Sequence, residues 1–197
     1  MDASTTWEID PAHTTIEFAV KHMMFTTVRG RFKGFSGTIR VDGRDPNRSS
    51  VEVDIDASSI DTGAPDRDAH LRSADFLDVQ NHPRLTFRST RVEGAHAKDG
   101  DRFKVTGDLV IRGTSMPVTL DATLEGIGKD PWGKERGGFA AKTEIDRREW
   151  GLRWNQALET GGILVGNSVR IEIEAQAVKQ VREVPVGAGA EAAAGKR

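Results

Sequence analysis

The chain has 197 residues, 37% hydrophobic and 29% charged, with a formal net charge of -2 and no cysteine. That is enough apolar material for one ordinary domain with a sizeable core, and it excludes a disordered or fibrous chain. The near-neutral balance excludes a sequence-wide pull toward nucleic acid, and the missing cysteines exclude disulfides, thiolate metal sites, iron–sulfur clusters and a cysteine nucleophile. No stretch approaches the roughly 20 apolar residues of a membrane-spanning helix, so no integral membrane segment is expected.

Residues 1–6 carry neither a basic nor an apolar leader pattern and read as a flexible N-terminus. The expected location is cytoplasmic. From there the dominant signal has period two, the mark of half-buried antiparallel strands. Ile16, Phe18, Val20 and His22 share one face, followed by Phe35, Gly37, Ile39 and Val41, then Val51, Val53, Ile55 and Ala57. Leu85, Phe87 and Ser89 follow, then Phe103, Val105, Gly107, Leu109 and Ile111, and then Val118, Leu120, Ala122 and Leu124. Phe139, Ala141, Thr143 and Ile145 make a seventh face, and Val169, Ile171, Ile173 and Ala175 an eighth. No Asp, Glu, Lys or Arg falls on any of these faces. The alternation through Val28, Gly30 and Phe32 changes phase at Lys33-Gly34, which predicts a bulge or sharp bend at Gly34.

Two stretches lack the alternation. Pro65–Leu77 opens on Pro and an Asp able to cap, and is predicted to be a short helix. Arg147–Leu158 places Trp150 and Trp154 four residues apart, as if on one face of a helical turn. Both read as plugs or lids on a β-structure. The end of the chain, from Val184, is low in complexity, and 179–197 reads as a flexible tail.

Strands with one shared apolar face fold into a sandwich or close into a barrel, and periodicity does not choose between them. In a barrel of this size the interior holds either packed side chains or one small ligand. Its lining would be aliphatic and aromatic, with His22 its one strongly polar strand residue and Ser89 and Thr143 weak hydroxyls. A long hydrocarbon would be well served there; the same residues would also make an ordinary filled core.

Ordered blocks along the chain carry a resemblance. Ile9-Asp10-Pro11-Ala12-His13-Thr14-Thr15-Ile16-Glu17-Phe18-Ala19-Val20-Lys21-His22 and Gly30-Arg31-Phe32-Lys33-Gly34-Phe35-Ser36-Gly37 resemble the opening of YceI-like proteins. Ser59-Ile60-Asp61-Thr62-Gly63, Arg67-Asp68-Ala69-His70-Leu71-Arg72-Ser73-Ala74-Asp75-Phe76-Leu77 and Pro83-Arg84-Leu85-Thr86-Phe87-Arg88-Ser89 are similar to the family's central blocks. Gly107-Asp108-Leu109-Val110-Ile111-Arg112-Gly113 and Arg147-Arg148-Glu149-Trp150-Gly151-Leu152 are similar to its closing ones. The resemblance spans about residues 7–178, taken as the domain. It implies an all-β, eight-stranded antiparallel lipocalin-like barrel with one or two short helices, holding a polyisoprenoid or another long-chain amphiphile for carriage, storage or sequestration. The lumen would then be lined by Phe18, Val20, His22, Phe35, Ile39, Val53, Ile55, Leu71, Phe76, Phe87, Leu109, Ile111, Leu120, Ile145, Trp150, Trp154 and Ile171. Arg67, His70 and Arg72 are candidates to meet a polar head group.

Catalytic chemistry finds no constellation. His13, His22, His70, His82 and His96 have no zinc spacing, no nucleophile elbow or phosphate loop is present, and neither metal nor cofactor is expected. The expectation is a non-enzymatic lipid binder that is monomeric or homodimeric and makes no contact with nucleic acid. An enzyme acting on an isoprenoid-type lipid, through His22, His70 or Arg67-Asp68, and a filled barrel serving as an interaction module are the alternatives.

Overall fold

All eight alternating segments are strands in the structure, a computed structural model in which residues 4–159 and 161–180 are described. In chain order the elements are β1 (Ser4–Ile9), β2 (Thr15–His22), β3 (Thr26–Phe32), β4 (Phe35–Asp42), β5 (Ser50–Asp56) and β6 (Ile60–Asp61). The helix α1 (Pro65–Arg72) follows, then β7 (Arg84–Glu93), β8 (Asp101–Ile111), β9 (Thr114–Lys129), β10 (Glu135–Asp146) and β11 (Val165–Lys179).

Hydrogen bonding closes β1-β4-β5-β7-β8-β9-β10-β11 into an antiparallel ring, because β1 pairs back onto β11 through Trp7 with Lys179 and Ile9 with Ala177. Closure leaves no edge within this eight-stranded ring, which decides for the barrel over the sandwich. Strand β11 is longer than its β1 partner, and its first half pairs with β2 instead. From there the sheet continues through β3 to β6.

Six of these strands are therefore halves of three longer ones, each broken at one level. β1 and β2 are separated by a 3-10 turn at Pro11–His13, β3 and β4 by Lys33-Gly34, and β5 and β6 by a 3-10 turn at Ala57–Ser59. Asp10 and Asp56 cap the two turns by accepting from the Ala12 and Ser58 amides. The breaks are tied to one another: Lys33 N–H donates to the Ser59 carbonyl, and Asp56 N–H to the Gly34 carbonyl at 2.8 Å. A Cβ on Gly34 would lie 3.2 Å from the Cβ atoms of both Asp56 and Ser59, so a larger residue at the bend read there from the phase change would press on both.

Several boundaries differ from the sequence reading. The chain is paired from Ser4 rather than Trp7, because Thr5 and Thr6 join the β4 ladder through Val41 and Arg40. Lys179 is in β11 and the Gln180 amide donates to Thr6; the rest of the segment read as a tail lies outside the described residues. The helix ends at Arg72 rather than Leu77, with Ser73–Leu77 folding into turns. Its N-cap is Ala64, with Pro65 in the first turn and no side-chain cap. Arg147–Leu158 is not a helix: a 3-10 turn at Arg147–Trp150 stops at Gly151, whose φ of 77° is left-handed. Trp150 and Trp154 therefore do not share a helical face.

Apolar side chains of the strand faces meet inside the ring. Ile55, Leu85, Phe87, Val105, Leu109, Ile111, Val118 and Ala122 are all buried there, joined below by Phe76, Trp150 and Leu152. Where facing residues would collide, glycine makes room: a Cβ on Gly30 would sit 2.3 Å from Cζ of Phe18, whose ring covers it.

Candidate functional site

The interior is not filled. A cavity of about 700 Å³ runs from Trp7, Ile39 and Val41 at the β1/β4 end to Leu71, Trp154 and Val165 at the α1 end. Its length follows from the strands: the 15 residues of β11 extend about 50 Å at ~3.3 Å each, or roughly 38 Å along an axis tilted by ~40°. Long and almost wholly apolar, it has the volume of a small-molecule site.

The structure brings most of the expected lining together. Phe18, Val20, His22, Ile39, Val53, Ile55, Leu71, Phe76, Phe87, Leu109, Ile111, Leu120, Ile145, Trp154 and Ile171 all border the cavity. Phe35 does not, because it follows directly on the Gly34 break and packs against the buried cluster instead. Nor does Trp150, which is 1% exposed and donates its indole N–H to the Leu109 carbonyl at 2.9 Å, making it a brace behind the wall. Trp7 and Ile9, in the strand the sequence reading left out, also line the cavity, as do Leu164 and Val165. The alternation of Trp7 and Ile9 with Thr6 and Glu8 was the available signal.

The two ends differ. At the β1/β4 end the ring is closed by hydrogen bonds. At the other end β6 is the last strand of its sheet, and the chain from Thr62 to Pro83, including α1, follows it before β7 begins. Asp68, buried in α1, fixes this segment by accepting from the Thr62 amide at 2.9 Å and from the Thr62 hydroxyl. Arg67 donates from Nε to Thr62 Oγ1 at 2.7 Å and from Nη2 to the Thr62 carbonyl. Arg67 and His70 border the cavity together with Asp66. Arg72 does not: its guanidinium donates to the carbonyls of Ser58 and Ile60, both at 2.7 Å, and so ties α1 to the β5/β6 break. Nε2 of His70 lies 2.9 Å from Oδ2 of Asp75, and the ring stands edge-on to Phe76 and Trp154.

Below the same end sits Arg147, a residue the sequence reading did not single out as functional. Its guanidinium is buried and donates to the carbonyls of Gly166, Leu152 and Val165 and to Oδ1 of Asn167. Burial pushes its pKa below the ordinary guanidinium value. The backbone acceptors hold the segment before β11 against the barrel.

What this arrangement can do is hold apolar matter. His22 and Thr143 are the polar residues of the expected lumen faces that border the cavity, while Ser89 is engaged in accepting the Val51 amide. Among the described residues no group of three or more His, Asp or Glu side chains is placed to hold a metal ion, and no helix is long and apolar enough to cross a membrane.

Residues 7–177 match the model of the YceI-like domain. The chain belongs to the YceI-like family. Protein YceI of Escherichia coli O157:H7 is 42% identical to it over 141 residues, which is 72% of each chain. The YceI protein of Campylobacter jejuni superposes with a TM-score of 0.69 at 28% identity, over 82% of this chain and 90% of that one. A polyisoprenoid-binding domain from Saccharophagus degradans shares the fold with a TM-score of 0.63 at 13% identity, covering 91% of this chain and all of its own (100%). The YceI-like barrel here thus shares the fold of its solved relatives.

Proposed function

We propose that this YceI-like barrel binds a polyisoprenoid or a similar long-chain amphiphile in its lumen, for carriage, storage or sequestration. The observation that carries the reading is the continuous apolar cavity of about 700 Å³ along the barrel axis. Burial of hydrocarbon is worth about 0.8 kcal/mol per methylene, so a chain of some ten carbons gains about 8 kcal/mol before association costs. That supports binding with no catalytic apparatus. The Saccharophagus domain, described as polyisoprenoid-binding, lends the ligand class. The chain would lie against the apolar strand residues, with Arg67 and His70 available to a polar head at the α1 end.

Native mass spectrometry of gently purified protein tests this. A co-purifying mass that organic extraction removes, and that an added polyprenol restores, is the expected result. Failure of the stripped protein to take up any polyprenol or long-chain amphiphile overturns it, and release of a chemically altered lipid moves the reading to an enzyme.

A further inference from the structure

The turn joining β2 to β3 is built against the rules for such turns. Met23 and Met24 sit at φ 49° and 64°, in the left-handed region where Asn or Gly would be the stable choice. Packing repays little of this: Met23 is 37% exposed, Met24 60% and the following Phe25 78%. Three consecutive large apolar residues at a strained, solvent-facing tip cost both stability and solubility.

The place of the tip gives it meaning. Strands β2 and β3 lie outside the closed ring, at the α1 end of the barrel. His22 pairs with Val165, the Met23 amide donates to the Leu164 carbonyl at 2.8 Å, and Val20, His22, Leu164 and Val165 all border the cavity. Along the two strands that carry the tip, every charged residue from Phe18 to Phe32 is basic, Lys21, Arg29 and Arg31, and Lys33 follows at the break. Arg31 and Lys33 are engaged with Asp61, whereas Lys21 and Arg29, the two nearest the tip, have no ion pair among the described residues.

We propose that Met23-Met24-Phe25 is a membrane wedge that seats the α1 end of the barrel on an anionic bilayer. The apolar side chains enter the headgroup and acyl boundary while Lys21 and Arg29 meet lipid phosphates. Lipid could then pass between bilayer and lumen without crossing water. This purpose rests on the lipid-binding reading; the docking itself does not. The opposite end supplies a control, because Trp132, the large apolar side chain of its turn, is 82% exposed there beside an Asp130 carboxylate that accepts from the Trp132 and Lys134 amides.

The test is co-sedimentation of the full chain with phosphatidylcholine vesicles, with and without phosphatidylglycerol. Wild-type protein is expected on the anionic vesicles, with partitioning reduced about ten-fold or more in Met24→Ser/Phe25→Ser and several-fold in Lys21→Ser or at high salt. Trp132→Ser should bind as wild type, Phe25→Trp should keep binding, and thermal melts should show the tip variants folded. Absence of wild-type binding, equal binding by the double variant, or loss of binding in Trp132→Ser overturns the proposal. Self-association abolished by the double variant, without vesicle binding, assigns the tip to a second copy and overturns it too. Uptake of polyprenol added from ethanol is measured separately: failure in wild type and double variant alike refutes the lipid-binding reading and leaves the docking result standing.

Discussion

The imidazole of His70 stands edge-on against the indole of Trp154, with ring centroids 4.6 Å apart and planes at 88°. Phe76 completes the contact, 5.1 Å from His70 and 5.3 Å from Trp154. The two stretches that break the strand alternation thus meet each other, one from α1 and its following turns, the other from the connection between β10 and β11. Together they form the wall of the cavity at the end where β6 has no further strand beside it.

Trp154→Ala should loosen that wall. Loss of the ring contacts is expected to cost about 1–3 kcal/mol, because the side chain is only partly buried and the site can collapse in part. The sharper effect is kinetic: a bound fluorescent polyprenol should dissociate several-fold faster, while Trp154→Phe stays close to wild type. Unchanged release in the alanine variant would show that lipid does not exit past this residue.

Arg147→Met should be among the most destabilising single changes. The guanidinium satisfies the carbonyls of Gly166, Leu152 and Val165 in a buried setting, and methionine fills the volume but donates nothing. A loss of about 3–5 kcal/mol is expected in denaturant unfolding. Arg147→Lys should recover only a fraction of it, because one ammonium cannot reproduce a planar fork of donors. A melt within about 0.5 kcal/mol of wild type for the methionine variant would contradict this.

The strands and the barrel's apolar interior were legible because period two survives in a single sequence whenever one face is wet and the other dry. Phe18, Ile111 and Ile171 fall on the apolar strand faces on that ground alone, while their place in a lumen is what the YceI-like resemblance implies. Closure was not legible, since it depends on β1 returning to β11 across the whole chain, and a six-residue strand such as Ser4–Ile9 shows too little alternation to stand out. The roles of Arg147, which no spacing singles out, and of Trp150, expected in the lumen, are set by backbone carbonyls remote in sequence, Gly166 and Leu109, which no local spacing encodes. Arg72 looked like a head-group ligand and proved to be a tie between α1 and Ser58 and Ile60.

The lumen assignment is tested by substitutions that differ in kind. Ile111→Glu places a carboxylate where the native side chain is 8% exposed, and should abolish lipid retention while destabilising the fold by several kcal/mol. Leu120→Trp adds bulk without charge on a residue that borders the cavity and is only partly buried, so the protein should fold and bind lipid less tightly. Full retention of polyprenol by both variants, measured by native mass spectrometry, would place the ligand elsewhere.

Part of the acid sensitivity should trace to a cluster on the outer surface near the β1/β4 end. Arg136 donates to Asp10 at 2.7 Å, to Asp130 at 2.8 Å and to Gln176 at 2.9 Å, clasping β1, the β9–β10 turn and β11. The guanidinium holds both carboxyls below their usual range, with His13 adding to the effect at Asp10. A carboxyl whose pKa is lower folded than unfolded binds protons more weakly in the native state. Its contribution is therefore complete above the unfolded value of 3.8 and fades as pH falls through the lower folded value. Arg136→Gln should accordingly be less stable than wild type at about pH 7, with the gap narrowing below about pH 4 as both proteins lose the ionised carboxylates. The measurement is a set of urea melts of both proteins across that range. A gap that stays constant down to about pH 2 would mean that Arg136 acts through packing of its stem rather than through charge.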